Sequence, residues 1–190
     1  PIIQKKLLTG EVKEAAELSE KYLRSNPMRI RSYQPLGDIY IDMPDTFRSM
    51  PESLSYRREL NLETGIATTT WSYEGITFTR EVFASAPDNI IVLRIASSQP
   101  GKLTFKLSLS RTQDAVVMPI SENELIMTGQ IVDLPAREAG PSGLHMKFSA
   151  ILHGKIKDGA FHTVNNSFYV EQATESVFYF TAATDYTLPF

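Results

Sequence analysis

A chain of 190 residues with 42% apolar and 22% charged side chains has ordinary globular composition and is long enough to bury a core without covalent or metal staples. No apolar run approaches the ~20 residues that a membrane-crossing helix needs, and a net charge of −3 with a pI near 5.7 lacks the basic footprint of a nucleic-acid binder. The chain has no cysteine, which removes thiolate nucleophiles and Cys-ligated zinc, and no charged-then-apolar leader follows Pro1, so it is expected to be a fragment.

Along the chain, the first element is helical. From Gly10 to Arg24, Val12, Ala15, Ala16, Ser19, Tyr22 and Leu23 recur at helical spacing, while Glu11, Lys13, Glu14, Glu17, Glu20 and Lys21 fall mostly elsewhere. This predicts one amphipathic helix with Thr9 as its N-cap, acidic residues suiting the dipole in its first turn, and Asn26-Pro27 as its end. The segment 1–32 is expected to pack on the domain that follows. The basic pairs Lys5-Lys6 and Arg57-Arg58 read as solvated faces or ion-pair partners.

After Tyr33 the period changes to two. Candidate strands are Leu36–Met43, Leu54–Leu62, Ile66–Tyr73, Ile76–Ser85, Asn89–Ala96, Lys102–Ser110, Glu124–Val132, Leu144–Gly154, Ala160–Val164, Ser167–Glu171 and Ser176–Ala183. Their number and spacing predict a mainly β fold over 33–190, an antiparallel β-sandwich or supersandwich, preceded by the one helix. Asp158-Gly159 is the strongest hairpin signal, because a two-residue primed turn needs positive φ, and Glu74-Gly75 is a second. Asp45–Ser53 and Pro135–Gly143 read as loops.

Alternation along Ile76–Ser85 places Arg80 in a row with Ile76, Phe78, Val82 and Ala84, so a charge interrupts an apolar face. The expectation is a structural arginine satisfied by a nearby acid or by carbonyls, since an unpartnered guanidinium is costly to bury.

The other candidates for chemistry are few. A hairpin at Asp158-Gly159 would bring His153 and His162 diagonally together on one face, but His145 lies about 26 Å along the strand and cannot complete a metal site. No metal and no cofactor is expected, and no nucleophile elbow or phosphate loop occurs. Glu59, Glu63, Glu81, Asp88 and Asp114 read as strand-end or loop charges, and no catalytic carboxylate pair can be picked out. Trp71, with Tyr73 two residues on, could stack on a sugar, although its surroundings also fit a half-buried packing face.

Taken as a series, YQPLGDIYIDM (Tyr33–Met43), YRRELNLETGIATTTWSY (Tyr56–Tyr73) and TREVFASAPDNIIVLRI (Thr79–Ile95) resemble the N-terminal domain of glycoside hydrolase family 95, the α-L-fucosidases and related α-L-galactosidases. The resemblance runs from the helix to TAATDY at Thr181–Tyr186. It implies a β-supersandwich joined to a much larger (α/α)6 barrel, in which a glutamate acid and an aspartate base assisted by asparagines invert the anomeric centre. Those positions have no counterpart here, nor have the family's opening strands, so no catalytic residue is carried over.

The resulting expectation is an accessory domain that supports the barrel of the same polypeptide through the helix and Tyr33, Gln34, Pro35 and Asp38. Its parent enzyme would act on a fucosylated or galactosylated glycan, in the bacterial periplasm or outside the cell. The alternatives are a free carbohydrate-binding module, with sugar contacts at Trp71 and Tyr73, and a structural interaction domain without sugar contact.

Overall fold

The computed structural model describes residues 1–25, 29, 31, 33–44, 55–135 and 140–187. Two helices, α1 (Ile2–Leu8) and α2 (Val12–Tyr22), precede β1 (Asp38–Asp42), β2 (Tyr56–Asn61), β3 (Ile66–Tyr73), β4 (Ile76–Ser85), β5 (Ile90–Ser97), β6 (Leu103–Ser110), β7 (Ala115–Ser121), β8 (Glu124–Asp133), β9 (Gly143–Lys157), β10 (Ala160–Val164), β11 (Ser167–Ala173) and β12 (Glu175–Thr184). They fall into two compact units, one of residues 1–34 and 132–145, the other of 35–131 and 146–190.

In the smaller unit the helical expectation needs correction, because there are two helices. Thr9 does not cap α2. Its hydroxyl lies 3.1 Å from the carbonyls of Lys5 and Lys6 and 2.8 Å from Glu11 Oε1, while Glu11 takes the N-cap position without a side-chain capping bond. Gly10, at φ +82, makes the reversal between the helices. The buried side of α2 centres on Ala15, with Leu18 and Ser19 half-buried, whereas Val12, Tyr22 and Leu23 of the expected face are exposed. The helix ends at Tyr22, ahead of Asn26-Pro27, which lies outside the described residues.

The larger unit is a two-sheet antiparallel sandwich, with one sheet ordered β1-β6-β11-β10 and the other β2-β3-β4-β5-β12-β9-β8-β7. Its core takes Leu103, Phe105, Leu107 and Leu109 from β6 and Phe168 and Val170 from β11. The larger sheet contributes Ile95, Leu125, Met127, Leu152 and Phe178. Period-two alternation supplies each set, as half-buried strands require. Phe168 stands 4.9 Å from Phe161 and 5.9 Å from Phe178, ring centre to ring centre, which joins the two sheets. Near the end of β11 the alternation slips: Gln172 adopts φ +53, the register shifts between Val170 and Ala173, and Ala173 again points into the core.

The Glu74-Gly75 turn joins β3 to β4 with both residues at positive φ, as expected. Asp158 and Gly159 also adopt positive φ, yet they make no hairpin between β9 and β10. Both edges of β9 are already occupied, by β12 and β8, so the chain crosses at this turn to the other sheet and β10 pairs with β11. Thr174 Oγ1 anchors the turn by donating to Asp158 Oδ2 at 2.7 Å. One strand, β7, was absent from the expectation. Pro119 interrupts its pattern, and such a proline is tolerated because β7 is a sheet edge. Of the expected loops, Asp45–Ser53 lies outside the described residues, and the described part of Pro135–Gly143 is irregular until Gly143 opens β9.

Candidate functional site

Within the sandwich, β2, β3 and β4 place the sequence candidates side by side. Trp71 lies opposite Tyr56 on β2 and opposite Phe78 on β4, and its ring stacks on Phe78 with centres 5.5 Å apart and planes 15° from parallel. Phe78 belongs to the core, and both Trp71 and Tyr73 are half-buried against that core. One face of the tryptophan is therefore occupied by packing. At the strand end, the neighbouring Glu74 carboxylate, through its charge and a hydrogen bond, pushes the Tyr73 hydroxyl above its ordinary pKa.

The next row on this face reads Arg58, Thr69, Arg80 and Ile95 across β2, β3, β4 and β5. Thr69 and Ile95 are buried and Arg80 is half-buried between them. The Arg80 partner is neither an acid nor a carbonyl: its Nη2 donates to Thr69 Oγ1 at 3.4 Å.

The opposite face of the larger sheet carries the paired charges. Arg94 on β5 reaches Glu81 on β4 at 2.7 Å and Glu175 on β12 at 2.5 Å, and these bonds raise its pKa, that to Glu175 most. Glu81 is thus one of three members of an ionic ladder. Glu59 pairs with Arg57, and Asp88 accepts from the Ser85 hydroxyl at 2.5 Å. Asp114 adopts φ +61 in the turn before β7, and its carbonyl accepts from the Gln130 N–H, while the Glu63 N–H donates to Asn61 in the β2–β3 turn. The Arg94 ladder escaped sequence reading because only the strand register brings its three members together.

The histidine expectation is overturned by the sheet crossing described above. His153 sits on β9 opposite Tyr179, with Nδ1 3.2 Å from Glu124 Oε1, while His162 sits on β10 opposite Tyr169 in the other sheet. Among the described residues no group of three or more His, Cys, Asp or Glu side chains has metal-binding geometry.

In the smaller unit, Arg31 organises the 132–145 segment. Its Nε lies 3.0 Å from Asp133 Oδ2, and Nη2 donates to the carbonyls of Gly140 and Pro141 at 3.3 and 2.9 Å. His145 Nε2 approaches the same Asp133 oxygen at 3.3 Å. One guanidinium thus pairs the carbonyls of Gly140 and Pro141, which lie outside regular structure. Tyr33 is fully exposed at 100% and Gln34 is half-buried.

At the entry to the sandwich, Pro35 and Leu36 offer their carbonyls to Arg111, and exposed Asp38 begins β1 opposite Ser110. No helix among the described residues is long and apolar enough to cross a membrane.

Known proteins extend this geometry. Over 76 residues, 40% of the chain, the sequence is 43% identical to Alpha-L-fucosidase 2 of Arabidopsis thaliana, and over 100 residues, 52% of the chain, it is 32% identical to an Aspergillus niger protein named "Probable alpha-fucosidase A". The matched stretches span only 9% and 12% of those relatives' own lengths. A solved structure carrying the name kojibiose phosphorylase, from human microbiome, overlays 77% of this chain and 22% of its own at 13% identity with a TM-score of 0.49, a likeness too slight to bear on fold or function. The family described as "Glycosyl hydrolase family 65, N-terminal domain" matches residues 1–188, and the chain belongs to it as the N-terminal domain of a glycoside hydrolase.

Proposed function

We propose that this domain supports the catalytic part of an enzyme resembling an inverting α-L-fucosidase of glycoside hydrolase family 95, with the chemistry carried by an (α/α)6 barrel elsewhere on the polypeptide. The observation that carries the reading is the 43% identity to an α-L-fucosidase over 76 residues. Substrate, in this reading, is a fucosylated or galactosylated glycan bound mainly by the barrel.

Docking to the barrel uses exposed apolar side chains that a free domain would leave wet. In the helical unit these are Ile2, Leu7, Tyr22 and Leu23, which line a groove between α1 and α2 of about 670 Å³, together with the exposed ring of Tyr33 and its neighbour Gln34. In the sandwich, exposed Pro35 adds an apolar contact and exposed Asp38 a charged one at its entry. Intact mass of the native gene product tests the arrangement. A mass several times 21.3 kDa is expected, and a native product near 21.3 kDa would remove the barrel and this function with it.

A second reading, sugar contact by the domain itself, is favoured by the incomplete burial of Trp71 and Tyr73 beside the Glu74-Gly75 turn. Trp71 is the lone tryptophan, so its fluorescence reports directly on that contact.

A further inference from the structure

The arginines of the larger sheet divide by face. Arg57 and Arg94 each meet carboxylates. Arg58 and Arg80, on the face that also holds Phe78 and Val82, make no ion pair among the described residues. Five donors on a half-buried guanidinium are then served by one threonine hydroxyl at 3.4 Å, which cannot neutralise the charge. A charge taken partly out of water without an anion beside it is costly, and an anion bound in this row would offset that cost.

Spacing and surroundings specify the ligand further. Arg58 and Arg80 flank Thr69 on consecutive strands, which puts their backbones about 10 Å apart and lets two forks converge on a carboxylate between them. One row along the strands lies Tyr56, 59% exposed, followed by Trp71 and Phe78. An exposed aromatic ring about 7 Å from a cationic row suits a sugar ring carrying its own acid group. Among the described residues the row is reached from its β2 side, since β2 is an edge strand with all six residues exposed.

We propose that Arg58, Thr69 and Arg80, with Tyr56 as a stacking platform, form a binding site for a carboxylate-bearing saccharide, a uronic acid residue. The guanidinium forks take the carboxylate, the threonine hydroxyl turns to a ring oxygen or hydroxyl, and Tyr56 covers the apolar face of the pyranose. Choosing a sugar as the carrier rests on membership of a glycoside hydrolase family and not on the fucosidase reading, so either can fail alone.

The test is calorimetric and fluorescence titration of the 190-residue chain with a glucuronate-containing oligosaccharide, its neutral glucose counterpart, sodium acetate and poly-glutamate. Saturable binding of the uronate with a Trp71 response is expected, weakened by salt and by roughly tenfold or more in Arg58→Met and in Arg80→Met. Arg58 is an exposed edge-strand residue, so Arg58→Met keeps the test valid if Arg80→Met unfolds. Absence of uronate binding at millimolar concentration, unchanged affinity in Arg58→Met, or equal affinity for the neutral sugar would overturn the site. Equal affinity for acetate or poly-glutamate would overturn its assignment to a saccharide.

Discussion

At Gly154 the missing side chain sets how closely two sheets approach. A Cβ built there would lie 2.7 Å from Phe161 Cζ and 3.0 Å from Phe178 Cε1, and both rings belong to the phenylalanine cluster that joins the sheets. Neither ring can yield without disturbing Phe168, which stacks on Phe178 and packs at a tilt against Phe161. Gly154→Ala should therefore cost about 1–3 kcal/mol by overpacking. Denaturant titration reads this as a lower midpoint with an unchanged slope, and an unchanged midpoint would mean the cluster is looser than its distances imply. Residue-scale reading of the sequence reached Arg80 for the right reason, a charge in an apolar row, but named the wrong partner. Alternation reports the face a residue occupies, whereas Thr69 became its neighbour only through the register of β3 on β4.

Helices α1 and α2 are tied by one lysine. Lys6 Nζ bonds Glu11 at 2.7 Å and also Glu14, which raises the Lys6 pKa from 10.5 to about 12, the hydrogen bond to Glu11 contributing most. The same bond lowers the Glu11 pKa below 4.5. With the lysine raised, its contribution is complete below pH 10.5 and is lost as pH rises through about 12. With the glutamate depressed, its contribution is complete well above pH 4.5 and is lost as pH falls through the lowered value. The tie therefore holds at full strength across neutral pH. In Lys6→Met the Glu11 carboxyl should titrate closer to 4.5, as followed by NMR, and a midpoint that does not move would show that Lys6 is not the cause. Element bounds followed the period of the sequence closely for β3, β4 and β10, where alternation runs uninterrupted between turn residues. α1 was missed because its seven residues make only two turns, with apolar pairs at both ends that show no face. The crossing from β9 to β10 was hidden for a different reason. A turn sequence fixes local dihedrals, but which sheet the next strand joins depends on edges already filled by distant strands.

For the molecule as a whole, the decisive quantity is whether any pair of acids can work on a sugar bond. Inverting hydrolysis needs two carboxyl groups about 6.5–9.5 Å apart across a bound sugar, one to give a proton and one to activate water. Among the described residues several acids that the sheet register brings together are already engaged: Glu81 and Glu175 share the Arg94 guanidinium between them, Asp133 pairs with Arg31, and Glu124 lies beside His153. The space between Glu81 and Glu175 is filled by Arg94 instead of a sugar. The 190-residue chain should accordingly release no fucose from an aryl α-L-fucoside, even at enzyme concentrations where product from a single turnover would be visible. Under the proposed supporting role, mixing it with a separately produced catalytic barrel should restore release, because the domain would then stabilise a cleft formed by that barrel. Hydrolysis by the chain alone would place a catalytic pair among these residues and end the supporting role. Restoration without loss in Arg58→Met would further separate the arginine row on β2–β4 from the chemistry, leaving it to act on how an acidic glycan is held.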